Sequence, residues 1–176
     1  QASVTPEAKE KAYLRLLTLG TGKSEALNQA VLKLVTLAPA DPRTRALLQK
    51  SVYADGDERV VAVGVRFLSS KGDPWIRDRL ESLSRHTSAT VRSAVVQSLH
   101  RVCPQNRWEI LSSLLKNEKQ EQVLKLILEE PMFLGGEKSV LFLQEALSVK
   151  ISDAMKQVAQ NSLSRVGKSP GKELCP

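Results

Sequence analysis

"TSATVRSAVVQSLHRV", Thr87–Val102, and "ISDAMKQVAQNSLSRV", Ile151–Val166, are two versions of one helix 64 residues apart. Aligned, they share Ser88/Ser152, Val91/Met155, Arg92/Lys156, Ser98/Ser162, Leu99/Leu163, Arg101/Arg165 and Val102/Val166. In the first copy the apolar residues Val91, Ala94, Val95, Leu99 and Val102 fall at 0, +3, +4, +8 and +11, one stripe of a 3.6-residue helix. Working outward, the stripe recurs as Leu27, Ala30, Val31, Leu34, Val35, and as Val60, Val63, Gly64, Phe67, Leu68. It returns as Val123, Leu126, Ile127 and as Met155, Val158, Ala159, Leu163, Val166. The five stripes begin at 27, 60, 91, 123 and 155, a period near 32 residues.

Each stripe helix follows another helix with its own start signal. Thr5-Pro6, Asp41-Pro42 and Asp73-Pro74 each place a capping side chain before a proline at the first helical position, where its missing N–H costs nothing. Cys103-Pro104 keeps the proline without the cap. Polar turns such as "DGD" and "RHTSA" join the partners, and no strand pattern intervenes. One such pair cannot bury its stripe alone, so neighbouring pairs must supply the other wall. Pro131 should end the fourth stripe helix, and Gly135-Gly136 should loosen the connection to the fifth unit and alter its stacking.

"ATVRSAVVQSL", Ala89–Leu99, resembles the second helix of HEAT-like repeats, with its Val-Arg pair followed by small residues. "DERVVAVGVRFL" is similar with Val61 in place of the arginine, and "SDAMKQVAQNSL" carries Met-Lys there. The short period is nearest the bacterial HEAT-like variety. Tetratricopeptide repeats have a similar period, but their Trp-x-x-Leu-Gly-x-x-Tyr pattern is missing. The resemblance implies an all-α fold, a right-handed α-solenoid of about five helix pairs. Repeats are expected over about 5–37, 41–70, 73–102, 104–130 and 137–166 within one domain spanning 1–166, with a tail at 167–176.

The aliphatic row at +5, Leu32, Val65, Val96 and Leu128, becomes Gln160 in the last unit. That change fits contact with the next unit, because the end of a stack needs a polar face. The row farthest from the stripe reads Gln29, Lys33, Thr36, then Ala62, Arg66, Ser69, then Ser93, Gln97, His100, then Lys125, Glu129 and Gln157, Asn161, Ser164. In a HEAT-like solenoid it would line the concave surface. Lys33, Arg66, Gln97, His100, Lys125 and Glu129 are therefore the candidate contacts to a protein or peptide partner.

The net charge is +7, and ten of twelve arginines lie between Arg43 and Arg107. Nucleic-acid binding through these central repeats is the alternative function. The simpler reading is a salt-bridged exterior, with Asp41, Asp57, Asp73 and Glu81 among the partners. The polar row holds too few cations in succession to track a phosphate backbone.

No catalytic constellation emerges, so a non-catalytic scaffold, adaptor or small inhibitor without cofactor or metal is expected. Gly22-Lys23-Ser24 looks like the end of a phosphate loop, but Leu17 stands where its first glycine belongs. His100 and Cys103 make two ligands, too few for structural zinc. "DGDE" at Asp55–Glu58 lacks the other positions of a calcium loop. Some HEAT-like proteins are alkylpurine DNA glycosylases, yet the polar row has no aromatic residue and only Glu129 as an acid. Trp75 and Trp108, 33 residues apart, suit packing.

Cys103 and the tail bearing Cys175 leave the stack at the same edge, two units apart. Helix packing puts that gap near ~20 Å, within reach of the tail at ~30 Å extended. A Cys103–Cys175 disulfide is therefore feasible. Such a bond, with a chain that begins without Met, points toward an exported or periplasmic protein, with a cytoplasmic one as the other possibility. No apolar run reaches the ~20 residues of a membrane span.

Overall fold

The computed structural model describes residues 5–8, 11, 25–37, 40–53, 57–167 and 175, and all regular structure among them is helical. The first helix of the first unit and Gly22-Lys23-Ser24 lie largely outside the described residues. The helices are α1 Glu25–Leu37, α2 Pro42–Tyr53, α3 Glu58–Ser70, α4 Pro74–Arg77, α5 Leu80–Ser84 and α6 Ala89–Val96. They continue as α7 Leu99–Val102, α8 Arg107–Asn117, α9 Glu121–Glu129, α10 Pro131–Leu134, α11 Gly136–Ser148 and α12 Asp153–Val166.

The expected start signals at Thr5, Asp41 and Asp73 are made, and Asp57 and Ser152 cap two further helices. Thr5 Oγ1 accepts from the Ala8 N–H, Asp41 from Arg43 N, Asp57 from Arg59 N, Asp73 from Trp75 N and Ser152 Oγ from Met155 N. Where the cap is missing, regular helix is delayed: α8 begins at Arg107 rather than Pro104, and Cys103 is left-handed with φ 45°. Pro131 likewise interrupts the fourth stripe helix, and Gly135 and Gly136 turn the chain with φ 68° and 77°.

Packing arranges the helices in two layers. α3 packs on α1, α6 on α3, α9 on α6 and α12 on α9, so the stripe helices lie one against the next. Outside them, α2 covers α3, α5 covers α6, α8 covers α9 and α11 covers α12. Contact continues across the Pro131 break, since α12 meets both α9 and α10.

Two-sided packing widens the buried face beyond the simple stripe, whose residues at 0 and +4 stay buried in α6, α9 and α12. Val65, Val96 and Leu128 in the +5 row are 0% exposed, whereas Val63, Leu126 and Val158 at +3 are half-buried. Gln160 is exposed, and Leu32 is half-buried against the core. The quoted helix also bends within itself. Ser98 Oγ donates to the Ala94 carbonyl at 2.7 Å, and the Ser98 N–H moves to Val95, tightening the turn that separates α6 from α7.

Gly64 lets α3 approach α2: a Cβ there would lie 2.9 Å from Cγ2 of buried Val52. Valine is stiff about its first torsion and cannot swing clear. Gly64→Val should therefore lower stability by about 1–3 kcal/mol in urea unfolding, the usual cost of overpacking. A more stable variant would show that the two helices have room to part.

Cys103 and Cys175 bring their sulfurs to 2.07 Å with Cα atoms 5.4 Å apart, linking positions 72 residues apart in sequence. Arg107 Nη2 donates to the Cys175 carbonyl at 3.4 Å from its buried position on α8. Unreduced protein should take up no thiol label. Cys175→Ser should cost about 4 kcal/mol by the chain-entropy relation for a loop of this length. Two labels per chain before reduction would contradict the bond.

Candidate functional site

The stripe helices carry five described arginines, and they divide by position. Near the N-terminal ends, Arg59 and Arg92 are bound to carboxylates. Arg59 pairs with Asp57 at 2.7 Å and with Glu25 of the preceding stripe helix. Arg92 holds Glu118 through Nε at 2.6 Å and Nη2 at 2.8 Å, while its Nη1 donates to the His86 and Thr87 carbonyls. Glu118 in turn accepts from the backbone N–H of Lys119 and Gln120, so one ion pair ties the start of α6 to the turn between α8 and α9. Burial opposes ionisation of Glu118, but Arg92 and these N–H groups outweigh it and hold the carboxyl below its ordinary range. The Arg59 side chain brings Asp57 down to about 2.

The outer layer is neutralised in the same manner. Asp73, 4% exposed, accepts from Arg45 at 2.7 and 3.0 Å and from Gln49 at 3.2 Å, joining α2 to the cap of α4. Asp41 takes Arg43, and Glu81 takes Arg85. The acidic residues expected to pair the arginine-rich middle thus do so at four positions.

Toward the C-terminal ends the pattern changes. Arg66, half-buried, donates from Nε to the neutral Gln97 Oε1 of the next stripe helix at 3.1 Å. Arg101, on α7 just beyond Gln97, lies close enough for its charge to act on Arg66. Burial, then Arg101, lowers the Arg66 pKa from its ordinary value. Arg165 lies 4.0 Å from the Met132 sulfur. Among the described residues these three have no carboxylate within salt-bridge distance.

Of the six residues expected to contact a partner, the structure brings Arg66 and Gln97 together. It also holds Lys125 beside Glu129 at 3.9 Å, one turn apart on α9. Lys33 is exposed on α1. His100 is not a free surface side chain. Its Nδ1 is 2.8 Å from Glu130 Oε1, its backbone N–H donates to the same oxygen at 3.0 Å, and its ring stacks on Phe133 at 5.1 Å.

The polar row also needs correcting in its middle. Ala62 and Ser69 are 1% exposed, because adjacent stripe helices close on these small residues. Nor is the neighbourhood without aromatic or further acid. The break at Pro131 changes the register, so α10 supplies Phe133, 50% exposed, and the turn before it supplies Glu130. Regular periodicity gives no access to these two. The available signal was the proline, which marked a departure without giving its direction.

The tryptophans serve packing. Trp75 lies under the Arg79 guanidinium at 4.0 Å, and the Trp108 ring meets Phe142 at 5.9 Å. A cleft of about 550 Å³ includes Arg85, His86, Arg92, Glu118 and Lys119, but its two arginines already face carboxylates. Among the described residues no three His, Cys, Asp or Glu side chains gather as a metal site. Among the described residues no helix is long and apolar enough to cross a membrane. Compared with known proteins, the chain matches no family model, no curated protein and no solved structure.

Glu130 is 3% exposed, and burial raises its pKa against the opposing pull of His100. The folded state therefore favours the protonated acid. The stability it contributes is full below the ordinary carboxylate range and declines as pH rises through the raised value. Glu130→Gln keeps an acceptor for His100 and removes the charge. Relative to the native protein, it should gain more stability at pH 7 than at pH 4, measured by urea unfolding. An equal change at both values would remove the linkage.

Proposed function

We propose that the chain is a HEAT-like α-solenoid, right-handed and built from about five helix pairs, that works as a non-catalytic protein-binding scaffold, adaptor or small inhibitor. The observation that carries the reading is the division of arginines on the stripe helices. Those near the helix starts are consumed by carboxylates within the chain, while Arg66 and Arg101 make no salt bridge among the described residues. The 32-residue period and the fully buried Val65, Val96 and Leu128 support a repeating stack. The pairing of Arg43, Arg45, Arg59, Arg85 and Arg92 argues against the arginine-rich middle as a phosphate-binding surface. The cysteine pair suits an oxidising compartment.

Crosslinking followed by identification of the captured protein supplies a partner for the test. Substituting Arg66, Gln97 and Lys125 together should weaken that complex by at least tenfold with the fold retained by circular dichroism. Unchanged binding would refute the face. Duplex DNA should bind weakly at low salt; a useful affinity with a steep salt slope would favour the nucleic-acid reading.

A further inference from the structure

The scaffold reading leaves the chemistry of the partner open, and the arginine pair supplies it. Resting on that reading, we propose that Arg66 and Arg101 form a carboxylate-binding site for an acidic segment of a partner protein, with exposed Phe133 receiving an apolar side chain next to the bound acid.

The first support is the unsatisfied fork of Arg66. A guanidinium offers five N–H donors in a plane suited to two carboxylate oxygens. Arg66 uses Nε on Gln97, and its terminal nitrogens have no hydrogen bond to the described residues. Gln97 fixes the side chain across the gap between two stripe helices, so little freedom is lost when a ligand arrives. The second support is like charge: Arg101 acts on the half-buried Arg66 guanidinium, so an anion meeting both relieves their repulsion, and Glu130, on which Arg101 also acts, is already committed to His100.

The third support is what surrounds the pair. Glu130, the nearest buried acid, is engaged with the His100 backbone and ring. His100 stacks on the exposed Phe133 and holds Glu130, on which the Arg101 charge also acts, so the aromatic ring and Arg101 share one neighbourhood. A sugar-phosphate backbone makes no use of the apolar Phe133 ring. A peptide in which acidic and apolar residues alternate meets both parts of the surface.

Fluorescence anisotropy tests this with a labelled twelve-residue peptide of alternating Glu and Leu, its Gln-for-Glu twin, and a labelled single-stranded DNA twelve-mer. The Glu peptide should bind the native protein at least tenfold more tightly than the twin. Arg66→Met with Arg101→Met should lose at least tenfold, while Arg77→Met with Lys116→Met, removing two exposed charges elsewhere, should change binding less than twofold. A second readout needs no variant: the side-chain Nε–H resonances of Arg66 and Arg101 should shift when the Glu peptide is added to native protein.

Equal binding of the twin, equal loss in the control pair, or resonance shifts confined to other arginines would overturn the site. Tighter DNA binding that depends on the same two arginines would assign it to phosphate and overturn the acidic-peptide partner. If the peptide fails while the triple variant still loses its crosslinked partner, the acidic site falls and the scaffold stands. If the triple variant keeps that partner, the face proposed for the scaffold falls.

Discussion

Contact between successive stripe helices is the constraint on which the rest of this structure depends. Each such helix packs on its neighbours as well as on its outer-layer partner, so its apolar face must be wider than one stripe. Val65, Val96 and Leu128 in the +5 row are fully buried. Each would contribute about 1.5–3 kcal/mol relative to exposure, so these seams are a major source of cohesion between otherwise local units. The close approach also explains Ala62 and Ser69, where a larger side chain would hold neighbours apart.

Polar groups then set how neighbours are joined. Arg92 with Glu118, Arg59 with Glu25, and Arg45 with Asp73 each connect residues more than twenty positions apart in the chain. They do not replace the hydrophobic seam. Exposed members such as Arg59 and Glu25 contribute little to stability because water screens them. Glu118 differs, with its side chain 1% exposed and several donors converging on it. Removing Arg92 would leave a buried carboxylate short of partners, a larger penalty than the net worth of the pair.

The same bookkeeping of charge gives the molecule a polarity across its stripe helices. Their starts are internally neutral and their ends retain guanidinium groups, beside the His100–Glu130–Phe133 cluster. That cluster owes its position to the helix break at Pro131, which brings an acid, a histidine and an exposed aromatic ring together. The Cys103–Cys175 link emerges at this end too, directly after α7, with both sulfurs within 3.4 and 4.0 Å of the His100 carbonyl.

Much of this was legible in the residues alone. The helical period, the Asp-Pro starts, the burial of Val65, Val96 and Leu128, and a feasible cysteine pairing follow from spacing, capping chemistry and chain reach. Those properties are local or periodic, so sequence carries them. Tertiary structure decided the rest. Whether Arg66 meets a carboxylate or Gln97 depends on how two helices align across a seam, and spacing within either helix is silent on that. His100 became a buried acid's partner because Pro131 redirected four residues. Sequence determined which faces must be covered; three-dimensional register determined which charges those covers neutralise.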